Sequence, residues 1–142
     1  MFGKFDHVVI LVSDIEAGIR TWAGQIGMTL THRSDNPQVG LAVAFFKFAD
    51  NTFIELVAPT RDDSPYAEML RERGEGLRLL SFQVDDLDVA VAELSGRGVA
   101  LRGVGTDRVF IEPESASGIL IQLWPKDRPH RWQALASAVK TD

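Results

Sequence analysis

His7, Glu55 and Gln122 are the residues of this 142-residue chain whose types and settings point to chemistry. Glu55 stands inside Phe53-Ile54-Glu55-Leu56-Val57, and a carboxylate in an apolar run is expensive to bury without a cation, a metal or hydrogen-bond donors. His7 stands in a similar run, Phe5 to Val12. Desolvated by its neighbours, Glu55 has the makings of a general base, with His7 tuning it. The bland alternative is a hydrogen-bonded His–carboxylate pair in a polar hollow. Proton transfer next to a carbonyl or thioester also needs a donor to the developing oxyanion. Gln122, Ser81, Gln83 or a backbone N–H could supply it, and the sequence selects none of them.

A repeat explains why these positions belong together. Phe5-Asp6-His7-Val8-Val9-Ile10-Leu11-Val12-Ser13-Asp14 returns as Leu77-Arg78-Leu79-Leu80-Ser81-Phe82-Gln83-Val84-Asp85-Asp86. Phe53-Ile54-Glu55-Leu56-Val57-Ala58-Pro59 returns as Leu120-Ile121-Gln122-Leu123-Trp124-Pro125. Two similar modules sharing one core pair His7 with Leu79 and Glu55 with Gln122.

The elements follow from pattern. Residues 5–12 read as a buried strand, and Ser13 with Glu16 as a capping box for a helix with Ile15, Ile19 and Trp22 on its inner stripe. Strands are expected over Met28–Arg33, Leu41–Phe48 and Thr52–Ala58, the last two joined across Ala49-Asp50-Asn51. Module 1 thus spans about residues 5–60. Ser64 and Pro65 open a connector helix over about 64–74. Module 2, about 77–125, repeats the plan, with a helix from Asp86 carrying Leu87, Val91 and Leu94. Its further strands fall at 99–101, 108–111 and 119–124, and Glu112 to Gly118 form the last hairpin loop. A tail helix over about 129–140, with Trp132, Leu135 and Val139 on one side, is expected on the outside or on a partner chain.

Four strands and one helix are too little to close alone. The fold class is therefore α+β: a single domain, residues 1–142, of two βαβββ modules forming one curved eight-stranded sheet with a concave ligand cup. Strand alternation sorts its lining. Val9, Phe53, Ser81, Gln83 and Trp124 go with the four paired positions, and Phe46 and Phe48 are further candidates. His32 and His130 read as surface residues.

Composition narrows the functions. The net charge is −5 with no basic block, so nucleic acid is not expected as a partner. There is no cysteine, which removes thiol catalysis and thiolate metal sites. No apolar run reaches the roughly 18 residues of a membrane span, and Met1 leads straight into a strand, so a cytoplasmic protein without a membrane partner is expected.

The doubled module, with His opening the first strand and Glu in the last, resembles the vicinal-oxygen-chelate superfamily of glyoxalases, methylmalonyl-CoA epimerases, extradiol dioxygenases and antibiotic-resistance proteins. The stretches Asn51 to Pro59, Asp63-Ser64-Pro65, Arg73 to Leu77, Val84-Asp85-Asp86 and Glu112 to Leu123 are similar to the epimerase-like branch. Metal-dependent members take one ligand from each paired position, two histidines and two Glu or Gln. The resemblance therefore implies a site of His7, Glu55 and Gln122, with Leu79 where the second histidine belongs and Gln122 where an acidic base usually stands. Leucine cannot ligate, and Gln122 coordinates only through its carbonyl. The resemblance leaves either a weakly held divalent ion (Ni, Co, Zn, Mn or Fe) or none.

Two functions are expected on these grounds. One is a lyase- or isomerase-type enzyme on a small carbonyl compound or acyl thioester, with Glu55 and Gln122 catalytic. It would not be a genuine methylmalonyl-CoA epimerase, because that reaction as the family runs it uses a bound cation. The other is a non-catalytic protein that sequesters a small molecule, as resistance proteins of this fold do. The resemblance and the apolar tail stripe together suggest a homodimer.

Overall fold

In a computed structural model, which describes residues 1–135, the elements run in the order β1 (Phe2–Leu11), α1 (Ile15–Ile19), β2 (His32–Asn36), β3 (Leu41–Lys47), β4 (Phe53–Pro59), α2 (Pro65–Arg73), β5 (Gly76–Val84), α3 (Leu87–Gly96), β6 (Leu101–Arg102), β7 (Val109–Ile111) and β8 (Ile121–Pro125). The fold is α+β, on a mixed eight-stranded sheet of order β2-β3-β4-β1-β5-β8-β7-β6. β2/β3, β3/β4, β6/β7 and β7/β8 pair antiparallel, whereas β5/β8 pair parallel. Among the described residues no helix is long and apolar enough to cross a membrane.

The chain divides into two compact units whose boundary cuts through both β1 and β5. The first holds Met1–Val8 and Arg78–Pro129, the second Val9–Leu77 and the tail from His130.

In the first unit, Val84, Ala90, Leu94, Val109, Ile111 and Leu123 form the core between α3 and the sheet. Asp86 caps α3 by accepting from Val89 N–H, which gives the helix a fixed start over that core. The even-numbered Val84 and odd-numbered Leu123 face α3. Alternation therefore turns Ser81, Gln83, Gln122 and Trp124 to the opposite face.

In the second unit the core is Val12, Ile15, Leu30, Ala42, Ala44, Phe46, Leu56 and Ala58. α1 starts one residue later than its sequence suggests: Asp14, not Ser13, accepts from Ala17 N–H. The expected capping box is absent because both of its members bond elsewhere. Ser13 donates from N–H and Oγ to Glu75, and Glu16 pairs with Arg33. A side chain at Gly18 would meet Val12 and Leu56 at 3.1 and 3.3 Å, so glycine there lets α1 lie close on the sheet. The helix then widens into a π turn over Arg20–Gln25, with Ile26 N–H donating to Thr21 O. β2 begins at His32 rather than Met28.

The expected tail helix is a 3-10 turn, Arg131–Ala134, in the described residues, and the rest of that expectation lies outside them. The turn does not point outward. Trp132 is buried, 6.1 Å from the Phe53 ring and 5.6 Å from His32. The His130 ring lies 4.9 Å from Phe53, edge to face. His32 and His130 are consequently buried rather than surface residues.

Candidate active site

The first unit carries a polar patch on the sheet face away from α3, built from β1, β5 and β8. His7 and Asp6 lie at the buried part of β1, 3% and 1% exposed. The Asp6 carboxylate accepts from His7 Nδ1 at 2.6 Å and from Gln83 Nε2 at 2.8 Å. One oxygen is committed to each, so the carboxylate ties β1 to β5. With a carboxylate as acceptor, the imidazole hydrogen of this bond sits on Nδ1, and the bond fixes the orientation of the ring. The His7 ring meets Trp124 of β8 edge to face at 5.6 Å. Trp124 is itself held from behind. Its indole N–H donates to Arg128 O at 3.0 Å, and the Arg128 guanidinium lies 4.3 Å from the ring centre. Arg128 reaches on to Asp107 O at 3.1 Å.

Next to this group, β5 and β8 set Ser81 beside Gln122 and Gln83 beside Trp124. Ser81 is 0% exposed, Gln122 7%. The Ser81 hydroxyl has no hydrogen-bond partner in the structure, so the neighbouring Gln122 amide does not satisfy it. A buried hydroxyl left alone costs about 1–3 kcal/mol. Leu79, also buried, precedes Ser81 on the same face.

The second unit holds the other expected site residues. Glu55 is half-buried at the middle of β4, opposite Phe45 in the register with β3. Phe53 and Val57 share its face and are buried. The aromatic residue beside Glu55 is Phe45, not Phe46. Phe46 pairs with Ile54 and packs with Ala44 and Leu56 in the core under α1, so its expected place in the ligand lining is corrected. The period-2 alternation of β3 makes this unavoidable: only one of two adjacent phenylalanines can face Glu55. Phe48 lies past the end of β3 and is 44% exposed. Val9 is buried in β1.

Asp6 is the member of this polar face that sequence reasoning missed. The signal was available, since a carboxylate inside an apolar strand needs partners, the argument applied to Glu55. Arg128 and Trp132 carried no such signal, because their roles depend on where the loop and tail land.

The family described as a glyoxalase-like domain matches residues 5–141. The chain belongs to that family. It is 29% identical over 132 residues to the ethylmalonyl-CoA/methylmalonyl-CoA epimerase of Cereibacter sphaeroides, covering 87% of this chain and 98% of the relative. It is 27% identical to the human mitochondrial methylmalonyl-CoA epimerase, covering 85% of this chain and 73% of that protein. Among solved structures, methylmalonyl-CoA epimerase from Mycobacterium tuberculosis superposes with a TM-score of 0.74 at 31% identity, covering 94% of this glyoxalase-like chain and 93% of that one.

Of the four positions at which the resemblance implies metal ligands, Leu79 offers a hydrocarbon and Gln122 a neutral amide. On the polar face of the first unit His7 is the one strong donor among those positions. With Glu55 of the second unit as the other strong donor, the family's four-ligand set is incomplete at Leu79 and weak at Gln122.

Proposed function

We propose that the chain is an isomerase-type enzyme of the epimerase-like branch, acting on an acyl thioester or a small carbonyl compound by proton transfer beside the carbonyl. The observation that supports this best is the polar face of β1, β5 and β8. Four buried or half-buried polar side chains, His7, Ser81, Gln83 and Gln122, gather there beside Trp124. Burying so many polar groups is costly in a purely structural role. The similarity to the ethylmalonyl-CoA/methylmalonyl-CoA and methylmalonyl-CoA epimerases supports a thioester as the substrate class.

In the proposed reaction the proton on the carbon next to the carbonyl passes to a carboxylate. The electron pair moves into the C=O to make an enolate, and delivery of a proton from water to the opposite face of that carbon gives the isomer, the base then releasing its own proton to water. No co-reactant is needed. Glu55 is the proposed base, a half-buried carboxylate at the middle of β4 with Phe53, Phe45 and Val57 on its face. Gln122 is the proposed donor to the carbonyl.

The test is exchange at the acidic carbon of methylmalonyl-CoA in D2O, followed by mass spectrometry after chelation of metals. Methylmalonyl-CoA serves here as an analogue of the chain's own thioester; the wild-type chain is expected to incorporate deuterium into it, and Glu55→Gln to lose at least about 100-fold in rate, within the range of general-base contributions, while keeping its melting temperature. Exchange unaffected by Glu55→Gln would remove that residue from the reaction. A second reading, capture of a flat apolar compound without turnover, is favoured by Leu79, which places hydrocarbon on the same face as Trp124. Binding with no exchange under any condition would support it.

A further inference from the structure

The sequence left Ser81, Gln83 and Gln122 as equal candidates for the oxyanion donor, and the structure separates them. Gln83 has its amide N–H on Asp6 at 2.8 Å, so it is a positioning residue for the Asp6–His7 pair. Ser81 and Gln122 are different. They are register partners on β5 and β8, both nine-tenths or more buried, and the Ser81 hydroxyl is left without a partner although an amide stands beside it. A protein that needed only to bury this corner would close that pair or replace the hydroxyl with a methyl group.

We infer that Ser81 Oγ–H and the Gln122 amide form a two-donor cradle for one oxygen atom of the ligand, the carbonyl oxygen that becomes the enolate oxygen in the proposed reaction. The inference rests on the reading that the ligand carries a thioester or similar carbonyl. Both groups are neutral and can donate, so the cradle suits an acceptor oxygen and its developing negative charge, and does not require an ion. Donors preset in a buried corner stabilise that charge more than water does, because they need no reorganisation as it forms. Leu79 has a part in this arrangement. Two residues before Ser81 on the same face, it places hydrocarbon, with no competing hydrogen-bonding group, beside the cradle. Trp124, two residues along β8 from Gln122 and braced by Arg128, supplies a flat wall on the same face.

The experiment uses methylmalonyl-CoA carrying carbon-13 at the thioester carbonyl, bound to the full-length wild type, Ser81→Ala, Gln122→Ala and the double variant. Calorimetry gives affinity, isotope-edited infrared spectroscopy gives the carbonyl stretch, and thermal melting checks each fold. In the wild type the stretch is expected below its value in water. Each single variant should lose part of that shift and the double variant nearly all of it, with exchange rates down about 10- to 100-fold per donor. Ser81→Ala should melt no lower than wild type, since its hydroxyl bonds nothing in the unliganded protein. A lower melting temperature would show the hydroxyl to be structurally engaged and would overturn the cradle.

An unshifted stretch in a wild type that still exchanges deuterium overturns the cradle and leaves the proposed enzyme standing. A shifted stretch that both variants abolish, without exchange, supports the cradle and sinks the enzyme. Failure of wild type to bind methylmalonyl-CoA overturns the cradle as a thioester site. Should Gln122→Ala unfold, Gln122→Met keeps the volume and removes the donor, with the same expected loss of shift.

Discussion

Replacing Asp6 with alanine removes the partner of two donors in one step. His7 Nδ1–H, 2.6 Å from one carboxylate oxygen, sits on a residue only 3% exposed and cannot turn to water. Gln83 Nε2, 2.8 Å from the other, belongs to a half-buried residue and recovers part of its bonding from solvent. Leaving a buried donor unsatisfied costs about 1–3 kcal/mol, with hydrogen bonds to charged groups at the upper end. His7 accordingly contributes about 2–3 kcal/mol and Gln83 about 1, so Asp6→Ala should destabilise the fold by at least about 3 kcal/mol. For a chain of this size each kcal/mol lowers the melting temperature by roughly 3–4 °C, giving a fall of about 10 °C. Calorimetric melting together with urea titration measures it. Asp6→Asn, which retains one acceptor oxygen, should lose about half as much. In proton NMR the His7 Nδ1–H resonance, shifted downfield by the carboxylate, should vanish from the Asp6→Ala spectrum. A loss below about 1 kcal/mol, inside the ordinary scatter of surface substitutions, would show that Asp6 is not the buried acceptor on which the placing of His7 depends.

Two further outcomes test neighbouring parts of the structure. Leu79→His with Gln122→Glu puts two strong ligands on the face that already carries His7; isothermal titration should then register tight Ni²⁺ or Co²⁺ binding, and no gain over wild type would mean that Leu79 does not share that face. His32 tests the tail, since burial first and the Lys47 charge second hold its imidazole below the ordinary value of 6.5. The unfolded chain then takes up a proton more readily than the folded one, so the contribution of His32 is complete above about pH 6.5 and is lost as pH falls below it. Melting temperature against pH should drop more steeply for wild type than for His32→Gln over that acidic window; parallel curves would refute the assignment.

Much of the architecture was legible because it rests on local rules. The repeat gave eight strands in two sets of four, and Ser64-Pro65 and Asp86 marked helix starts that the structure keeps. What the sequence could not give were choices settled by distant partners. Ser13 and Glu16 satisfy a capping pattern on paper, but Glu75 and Arg33 take them in the fold. Phe45 and Phe46 are equivalent in composition, and only the register with Glu55 and Ile54 tells them apart. His32 and His130 look like surface residues in a strand end and a polar tail, and Trp132 like part of an outward or partner-facing stripe; all three become buried because the tail folds back onto Phe53. At the candidate site the residue types were readable, but which donors were already spent depended on Asp6 meeting Gln83 across 77 positions of sequence.

The division of β1 between the two compact units has a consequence for biosynthesis. As the chain leaves the ribosome, Val9–Leu77 has most of its own unit at hand, whereas Met1–Val8 must wait for Arg78–Pro129 to be translated. Through that interval the leading segment, with Phe2 and Phe5 among its residues, has no edge of its own unit to dock on. Long-range closure of this kind is slow, and a nascent strand that still lacks one of its two neighbours is exposed to mispairing. Synthesis from a gene permuted to begin near Arg78 would bring that strand and its neighbours off the ribosome almost together.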